Sequence, residues 1–260
     1  MDPALYEQHA RLEDSHWWFL GRRRLVLAEL ARYAGANAGR ILDIGCGTGG
    51  MLPQYAAFGA ALGLDPSEEA RDACTRRGVP FVRGSGAQLP FKDGSIDVIT
   101  ALDVIEHVPD DTGLLREMRR VLRPGGVLLL TVPAYQFLWS QHDVFNHHQR
   151  RYRRSRLQAL LRSSGFEIAK LSYYNTTLFP AAMLRKATMR VDKRSASPAA
   201  SHLDEVRAPL NTLLRWVMAA EQPLIERFDM PFGASIISVA RRPLEASSGV
   251  PDSRPLAATS

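Results

Sequence analysis

The sequence predicts an α/β fold: a doubly wound, mostly parallel seven-stranded sheet with helices on both faces, an N-terminal helical lid and a helical insertion before the last strand. Three observations lead there. Short aliphatic or β-branched runs recur between stretches of helical length, which is how buried parallel strands and their crossovers read. One such run, Ile41-Leu42-Asp43-Ile44, enters a glycine-rich turn. Hydrophobic residues make up 45% and charged residues 23% of the 260 positions, the balance of a domain able to bury a core.

Strands are predicted at 40–44, 60–64, 80–82, 96–101 and 127–132, a sixth at 166–174 and a last at 234–240. Helices are expected over 25–33, 49–58, 67–77, 110–122 and 155–163. Ser67 is a natural N-cap, with Glu68 and Glu69 favourable at the positive helix end. Arg123-Pro124-Gly125-Gly126 stops the helix before it and turns the chain into the fifth strand. A polar, histidine-rich loop covers 134–152.

Residues 175–233, between the sixth and last strands, are far longer than an ordinary hairpin loop of about two to five residues. Two apolar clusters, around Leu178 to Leu184 and Leu213 to Met218, would not stay in water, so a helical cap is expected there. The organisation read from the chain is then a lid (1–36), a cofactor-binding core (37–174), the cap (175–233), the last core strand (234–243) and a disordered tail (244–260), with 193–200 mobile inside the cap.

A net charge of +6 favours an anionic partner. Much of it comes from the stretch QRRYRRSR at 149–156, which is read as a solvated helix start. There are only two cysteines, and Cys46 sits inside the glycine turn, which suits a reducing compartment. The N-terminus is neither basic nor apolar, and no apolar run approaches the roughly 18 residues of a membrane span. A cytoplasmic protein is expected.

Gly45-Cys46-Gly47-Thr48-Gly49-Gly50 is a turn at which backbone can approach a ligand, because glycine has no Cβ and tolerates positive φ. The helix expected to follow would offer free N–H groups to a carboxylate or phosphate. About twenty residues on, Asp65 closes the second strand ahead of Pro66, where a carboxylate can accept from both hydroxyls of a ribose. A nucleoside-containing cofactor follows. Gly45, Gly47 and Gly50 also satisfy the dinucleotide fingerprint, so a nicotinamide oxidoreductase stands as a rival. Asp43 argues for a ligand with a cationic amino group, since its charge suits an ammonium and not a pyrophosphate.

Four further blocks, Leu89-Pro90-Phe91, Asp93 to Val98, Asp103-Val104-Ile105-Glu106-His107-Val108-Pro109-Asp110 and Leu122 to Gly126, follow the glycine turn in order. In these the chain resembles the class I S-adenosylmethionine-dependent methyltransferases, over roughly Gly39 to Phe166. The resemblance implies a Rossmann-like fold and S-adenosylmethionine as cofactor, leaving as S-adenosylhomocysteine. It implies that Asp43, Gly45, Gly47 and Gly49 hold the methionine part, Asp65 and Pro66 the ribose, and the turn of Ser85, Gly86 and Gln88 the adenine, with Leu102 against the cofactor. Many relatives carry an acidic residue where Ser85 stands. In His16-Trp17-Trp18-Phe19-Leu20-Gly21-Arg22-Arg23-Arg24, just ahead of the first helix, Trp18 is expected to close over the site and Arg23 or Arg22 to reach the methionine carboxylate.

The acceptor is expected beyond the fourth and fifth strands, under the loop carrying His142, Asp143, His147, His148, Arg150, Arg151 and Tyr152. His142 is the first candidate for a general base and His147 the second, because a histidine titrates near neutrality. Glu106 and His107 are read as shaping the pocket. No metal is expected, since the loop lacks a compact zinc signature. The expected reaction moves a methyl group to an oxygen of a small or lipid-like acceptor, anionic and amphiphilic, with brief membrane-surface contact. Ala101-Leu102-Asp103-Val104 stands where nucleobase amino-methyltransferases carry an Asn/Asp-Pro-Pro-Tyr block, which argues against nucleic acid. A cofactor-fold scaffold without turnover is the alternative outside enzymology.

Overall fold

The computed structural model describes residues 3–188 and 206–244. In chain order these form α1 (Pro3–Leu12), α2 (Trp17–Ala34), β1 (Gly39–Ile44), α3 (Leu52–Tyr55), β2 (Gly59–Asp65), α4 (Glu68–Arg77), β3 (Phe81–Arg83) and β4 (Ile96–Leu102). They continue with α5 (Asp111–Val121), β5 (Leu122–Pro133), α6 (Gln141–Phe145), α7 (Arg154–Ser163), β6 (Glu167–Tyr174), α8 (Phe179–Thr188), α9 (Ala208–Arg227) and β7 (Ser235–Arg241).

The sheet has the order β3-β2-β1-β4-β5-β7-β6, with β7 antiparallel to both neighbours and the other pairings parallel, a Rossmann-like arrangement. Strand residues alternate between two buried layers. Leu42, Ile99, Leu128 and Leu130 pack against Leu114, Leu115 and Met118 of α5 and Leu157 and Leu161 of α7. Ile41, Val98, Leu129 and Ile237 pack against Leu25, Val26 and Leu30 of α2, Leu52 and Tyr55 of α3, and Ile225 of α9. A strand buried on both faces needs no polar alternation, which is why the strands read as continuous apolar runs.

Several elements differ from the sequence reading. β5 begins five residues early because Leu122 pairs with Ile96 before the Pro124-Gly125 turn. The helix predicted over 49–58 shrinks to the single turn of α3: Gly49, at φ +77°, lies outside helical space, and the chain turns into β2 at Gly59. The glycine turn therefore does not open a helix able to receive an anion. α2 starts at Trp17, eight residues earlier than predicted, so the aromatics belong to the helix itself; the His16 side chain caps it by accepting from the Trp18 amide at 3.3 Å.

Between β6 and β7, α8 and α9 form. α9 lies along α2, where Gly21 leaves room for Met218 and the Trp17 amide donates to Asn211 Oδ1 at 2.8 Å. The expectation that both apolar clusters are buried holds only in part: Met218 is buried, whereas Leu184 of α8 and Leu213 and Trp216 of α9 are exposed. The mobile stretch expected at 193–200 lies outside the described residues, as does the disordered tail apart from Leu244, which is exposed. Among the described residues no helix is long and apolar enough to cross a membrane.

Candidate active site

A cavity of about 570 Å³ opens at the C-terminal ends of β1, β2, β4 and β5, where the strand order reverses between β1 and β4. Open parallel sheets bind ligands at such a point. Asp43, next to last in β1, is buried on its wall and accepts a hydrogen bond from Thr100 Oγ1 at 2.6 Å. Burial pushes its carboxyl up to about 7, against the opposing effects of that bond and of the Arg22 charge.

The turn after β1 needs glycine for two distinct reasons. At Gly45 (φ +67°) a Cβ would stand 2.6 Å from Val104 Cγ2, so the position is closed by packing. Gly49 likewise faces Cys74 and stands off the cavity wall. At Gly47 (φ +54°) nothing lies within 4 Å of the Cβ position, and the residue is on the wall. The backbone there is left open, with no side chain over it.

Asp65 is buried and works as a hub: Oδ2 accepts from the Gly47 amide at 3.1 Å, while Oδ1 accepts from the Ser67 amide at 3.0 Å and the Tyr6 hydroxyl at 3.2 Å. The glycine turn, the start of α4 and α1 are tied at one corner. Burial and the Asp65 charge raise the Tyr6 hydroxyl above its ordinary range. Pro66, Ser85, Gly86 and Gln88 do not line the cavity; Pro66, Ser85 and Gln88 are exposed, and Gly86 is closed by Leu114 Cδ1 at 2.6 Å from its Cβ position. Leu102, ending β4, is on the wall.

The N-terminal helices supply His9, Glu13, Trp18, Phe19, Arg22 and Arg23 to the same wall. Arg22 pairs with Asp103 and lies over the Trp18 ring, Cζ 4.3 Å from its centroid. Arg23 donates to the Glu13 carbonyl at 2.9 Å and to Asp14 at 2.8 Å. Both arginines keep a buried Nε without a partner, a donor set that fits a carboxylate. Glu13 takes the Thr48 hydroxyl at 2.6 Å and pairs with Arg77. Tyr6 and Glu13 were not singled out from sequence, since neither period nor spacing links them to a turn so far along the chain; Asp103 was named only within a motif block.

At the other end, α6 and the loop after it hang over β4 and β5. Asp143 is fully buried, accepting from Arg151 Nε at 2.7 Å, Arg151 Nη2 at 2.8 Å, His148 Nδ1 at 2.9 Å and the Ser140 amide at 2.7 Å. Burial alone would raise its carboxyl, but the His148 and Arg151 bonds and the Arg151 charge hold it well below the usual range. Burial pushes the Glu106 carboxyl well above its usual range, aided by the Asp103 charge, and lowers His107 to about 3, aided by His148. His107, His142 and His148 line the cavity; His147 is exposed and off the wall. The basic stretch expected to be a solvated helix start is divided: Arg150 pairs with Asp111 and Arg151 with Asp143 inside the protein, while Arg154 pairs with Asp229 at the surface and Arg153 and Arg156 are exposed.

Residues 42–130 match the methyltransferase domain family. A Mycolicibacterium smegmatis protein named as a probable S-adenosylmethionine-dependent methyltransferase is 37% identical over 164 residues, 60% of this chain and 62% of that one. The sterol 24-C-methyltransferase of Aspergillus fumigatus is 32% identical over 139 residues, 49% of this chain and 35% of the other. The matches thus span less than two thirds of these relatives' length. Among solved structures, a chain from the complex between the Haloferax volcanii Trm112 methyltransferase activator and a methyltransferase superposes with a TM-score of 0.62 at 18% identity, covering 94% of this chain and 96% of that one. The Haemonchus contortus phosphoethanolamine N-methyltransferase 2, in complex with S-adenosyl-L-methionine, gives 0.55 at 20% identity, over 85% of this chain and 52% of the other. These structures share the fold, and residues 42–130 are similar to the methyltransferase domain family.

Proposed function

We propose that the protein transfers the methyl group of S-adenosylmethionine to an oxygen atom of a small or lipid-like, partly apolar acceptor. The observation that carries this reading is the open, positive-φ backbone of Gly47 between two buried carboxylates, Asp43 and Asp65, at the point where the sheet order reverses. Asp43 would take the amino group of the methionine part, and the unpartnered Nε of Arg23 or Arg22 its carboxylate. Asp65 would take the ribose, with Ser85 and Gln88, exposed beyond the cavity wall, toward the adenine. Leu102 and Trp18 give apolar contact. The bound cofactor supplies an electrophilic methyl group on a sulfonium, already activated, so the protein's part is alignment and, for a hydroxyl acceptor, removal of a proton.

His142 is the residue we assign to that proton. It lies on the wall, with Asn146 Nδ2 3.2 Å from its ring nitrogens, whereas His147 faces away from the cavity space. The acceptor side is apolar: Leu138, Leu178, Ala181, Ala182 and Leu214 line it, and Lys186, donating to the Trp139 carbonyl at 2.6 Å, adds one cation. Such a lining favours an amphiphile with an anionic group. The test is incubation with methyl-labelled S-adenosylmethionine and an acceptor series graded in apolar length and head-group charge, read by mass spectrometry. Labelled oxygen in the anionic amphiphiles supports the reading. S-adenosylhomocysteine binding without turnover on any acceptor would favour a scaffold, and binding of NADH in its place a nicotinamide enzyme.

A further inference from the structure

Glu106 is fully buried on the cavity wall, and neither of its carboxylate oxygens has a hydrogen-bond partner. Glu13, Asp43, Asp65 and Asp143, the other buried carboxylates of the site, all have partners. A buried carboxylate is unfavourable unless it is neutral, paired or bound to a metal. Glu29 is buried in the same condition, but no cluster of metal-ligating groups forms around it among the described residues. Around Glu106 one does. A carboxylate oxygen of Glu106 and ring nitrogens of His107 and His148 lie within 4.8 Å of one another.

We propose that Glu106, His107 and His148 bind a divalent transition-metal cation at the acceptor end of the cavity. Donors at this spacing would draw together to close on an ion at about 2.0–2.2 Å. The outer partners a metal-binding histidine requires are in place. His148 Nδ1 is held by Asp143 at 2.9 Å, which leaves Nε2 as its ligand atom, and Asp143 is itself fixed by the two-pronged Arg151 bond. A ring nitrogen of His107 is hydrogen-bonded to the Asn146 backbone. A carboxylate behind a histidine orients the ring and raises its basicity as a ligand. The two rings meet edge to face, with centroids 4.6 Å apart.

Two imidazoles and one carboxylate suit Zn²⁺, Co²⁺ or Fe²⁺ better than Mg²⁺ or Ca²⁺, which prefer oxygen donors. Three protein ligands leave a coordination position open, and all three residues line the cavity. An oxygen of the acceptor would occupy that position; this last step rests on the methyl-transfer reading, whereas the cation site does not.

The test loads the purified chain with Zn²⁺ or Co²⁺, dialyses it and measures metal content and visible Co²⁺ absorption, without cofactor. Stoichiometric retention is expected, with affinity falling on the order of tenfold or more in Glu106→Gln and in His148→Ala, at least the loss that removal of an outer partner brings. Calorimetry with S-adenosylhomocysteine on the same samples reports the cofactor site separately, so either reading can fail alone. Anomalous diffraction at the zinc edge on crystals of the unaltered protein should place the ion between the three side chains, a readout that needs no variant to fold. Failure to retain metal, an ion located elsewhere, or undiminished binding by folded variants would overturn the proposal.

Discussion

Alanine at Gly47 and alanine at Gly45 separate a ligand requirement from a packing requirement within one turn. Both positions have positive φ, +54° and +67°, so each substitution costs roughly 1–2 kcal/mol of backbone strain. For Gly47→Ala that is the whole cost, because nothing lies within 4 Å of the new methyl group. At about 2–4 °C per kcal/mol for a domain of this size, Tm should fall by roughly 2–8 °C. Gly45→Ala also drives a methyl to 2.6 Å from Val104, adding roughly 1–3 kcal/mol of overpacking. Binding should rank the other way. On the proposed reading the Gly47 methyl would enter the cofactor's space, and a loss of tenfold or more, about 1.4 kcal/mol, is expected in S-adenosylhomocysteine affinity. Thermal denaturation and calorimetry on both variants decide the matter. If folded Gly47→Ala binds like the unaltered protein, the cofactor does not pass over Gly47.

The Asp43 carboxyl is raised from 3.8 to about 7, so between those pH values the unfolded chain gives up a proton that the folded one keeps. The associated stability is fully present below pH 3.8 and lost as pH rises through 7, on the order of 4 kcal/mol in all. Asp43→Asn should flatten that slope in denaturant titrations of ligand-free protein; an unchanged slope would assign the proton elsewhere. His142→Ala should depress turnover and leave S-adenosylhomocysteine affinity nearly intact, and equal loss of both would move the loop into the cofactor site. Ala182→Phe should narrow the acceptor end, raising KM for long-chain acceptors more than for short ones, with no change in cofactor affinity measured by calorimetry. A uniform rise would mean that α8 does not sort acceptors.

The sheet was legible because burial on both faces writes itself into composition: runs such as Ile41-Leu42 and Leu128-Leu129-Leu130 admit few alternatives, and all seven strands form. Helix starts were less legible where a glycine or an aromatic decided them. Gly49 looks like a helix residue in one dimension and is held out of the helix by its positive φ, while Trp17-Trp18-Phe19 looks like a loop of anchors and is the first turn of α2. The histidine loop marks the limit of such reading. His147 has φ +54°, and that one kinked residue leaves His148, and not His147, on the cavity wall beside His107. No period governs a loop, so a reading of spacing cannot tell two adjacent histidines apart. The same holds for Tyr6 and Glu13, whose partners Asp65 and Thr48 lie 59 and 35 positions away.

The charges at the cofactor end follow from one constraint. Asp43 is buried, and burial, aided by the Asp65 charge and opposed by the Thr100 bond and the Arg22 charge, favours its neutral form well above the usual carboxylate range. Arg22 and Arg23 are each engaged by an acid, yet each keeps one buried N–H without a partner. A zwitterionic amino-acid group would resolve both conditions together: its ammonium would make the ionised form of Asp43 favourable, and its carboxylate would accept from an arginine Nε, the two ends cancelling in charge. A dinucleotide would instead carry a doubly negative pyrophosphate to the same turn. It would have to keep Asp43 protonated or face its charge at close range, and charge interactions strengthen as the surroundings dry. On the proposed reading, discrimination between the two cofactor classes would reside less in the glycines, which both tolerate, than in a single buried carboxyl whose charge state the ligand itself would decide.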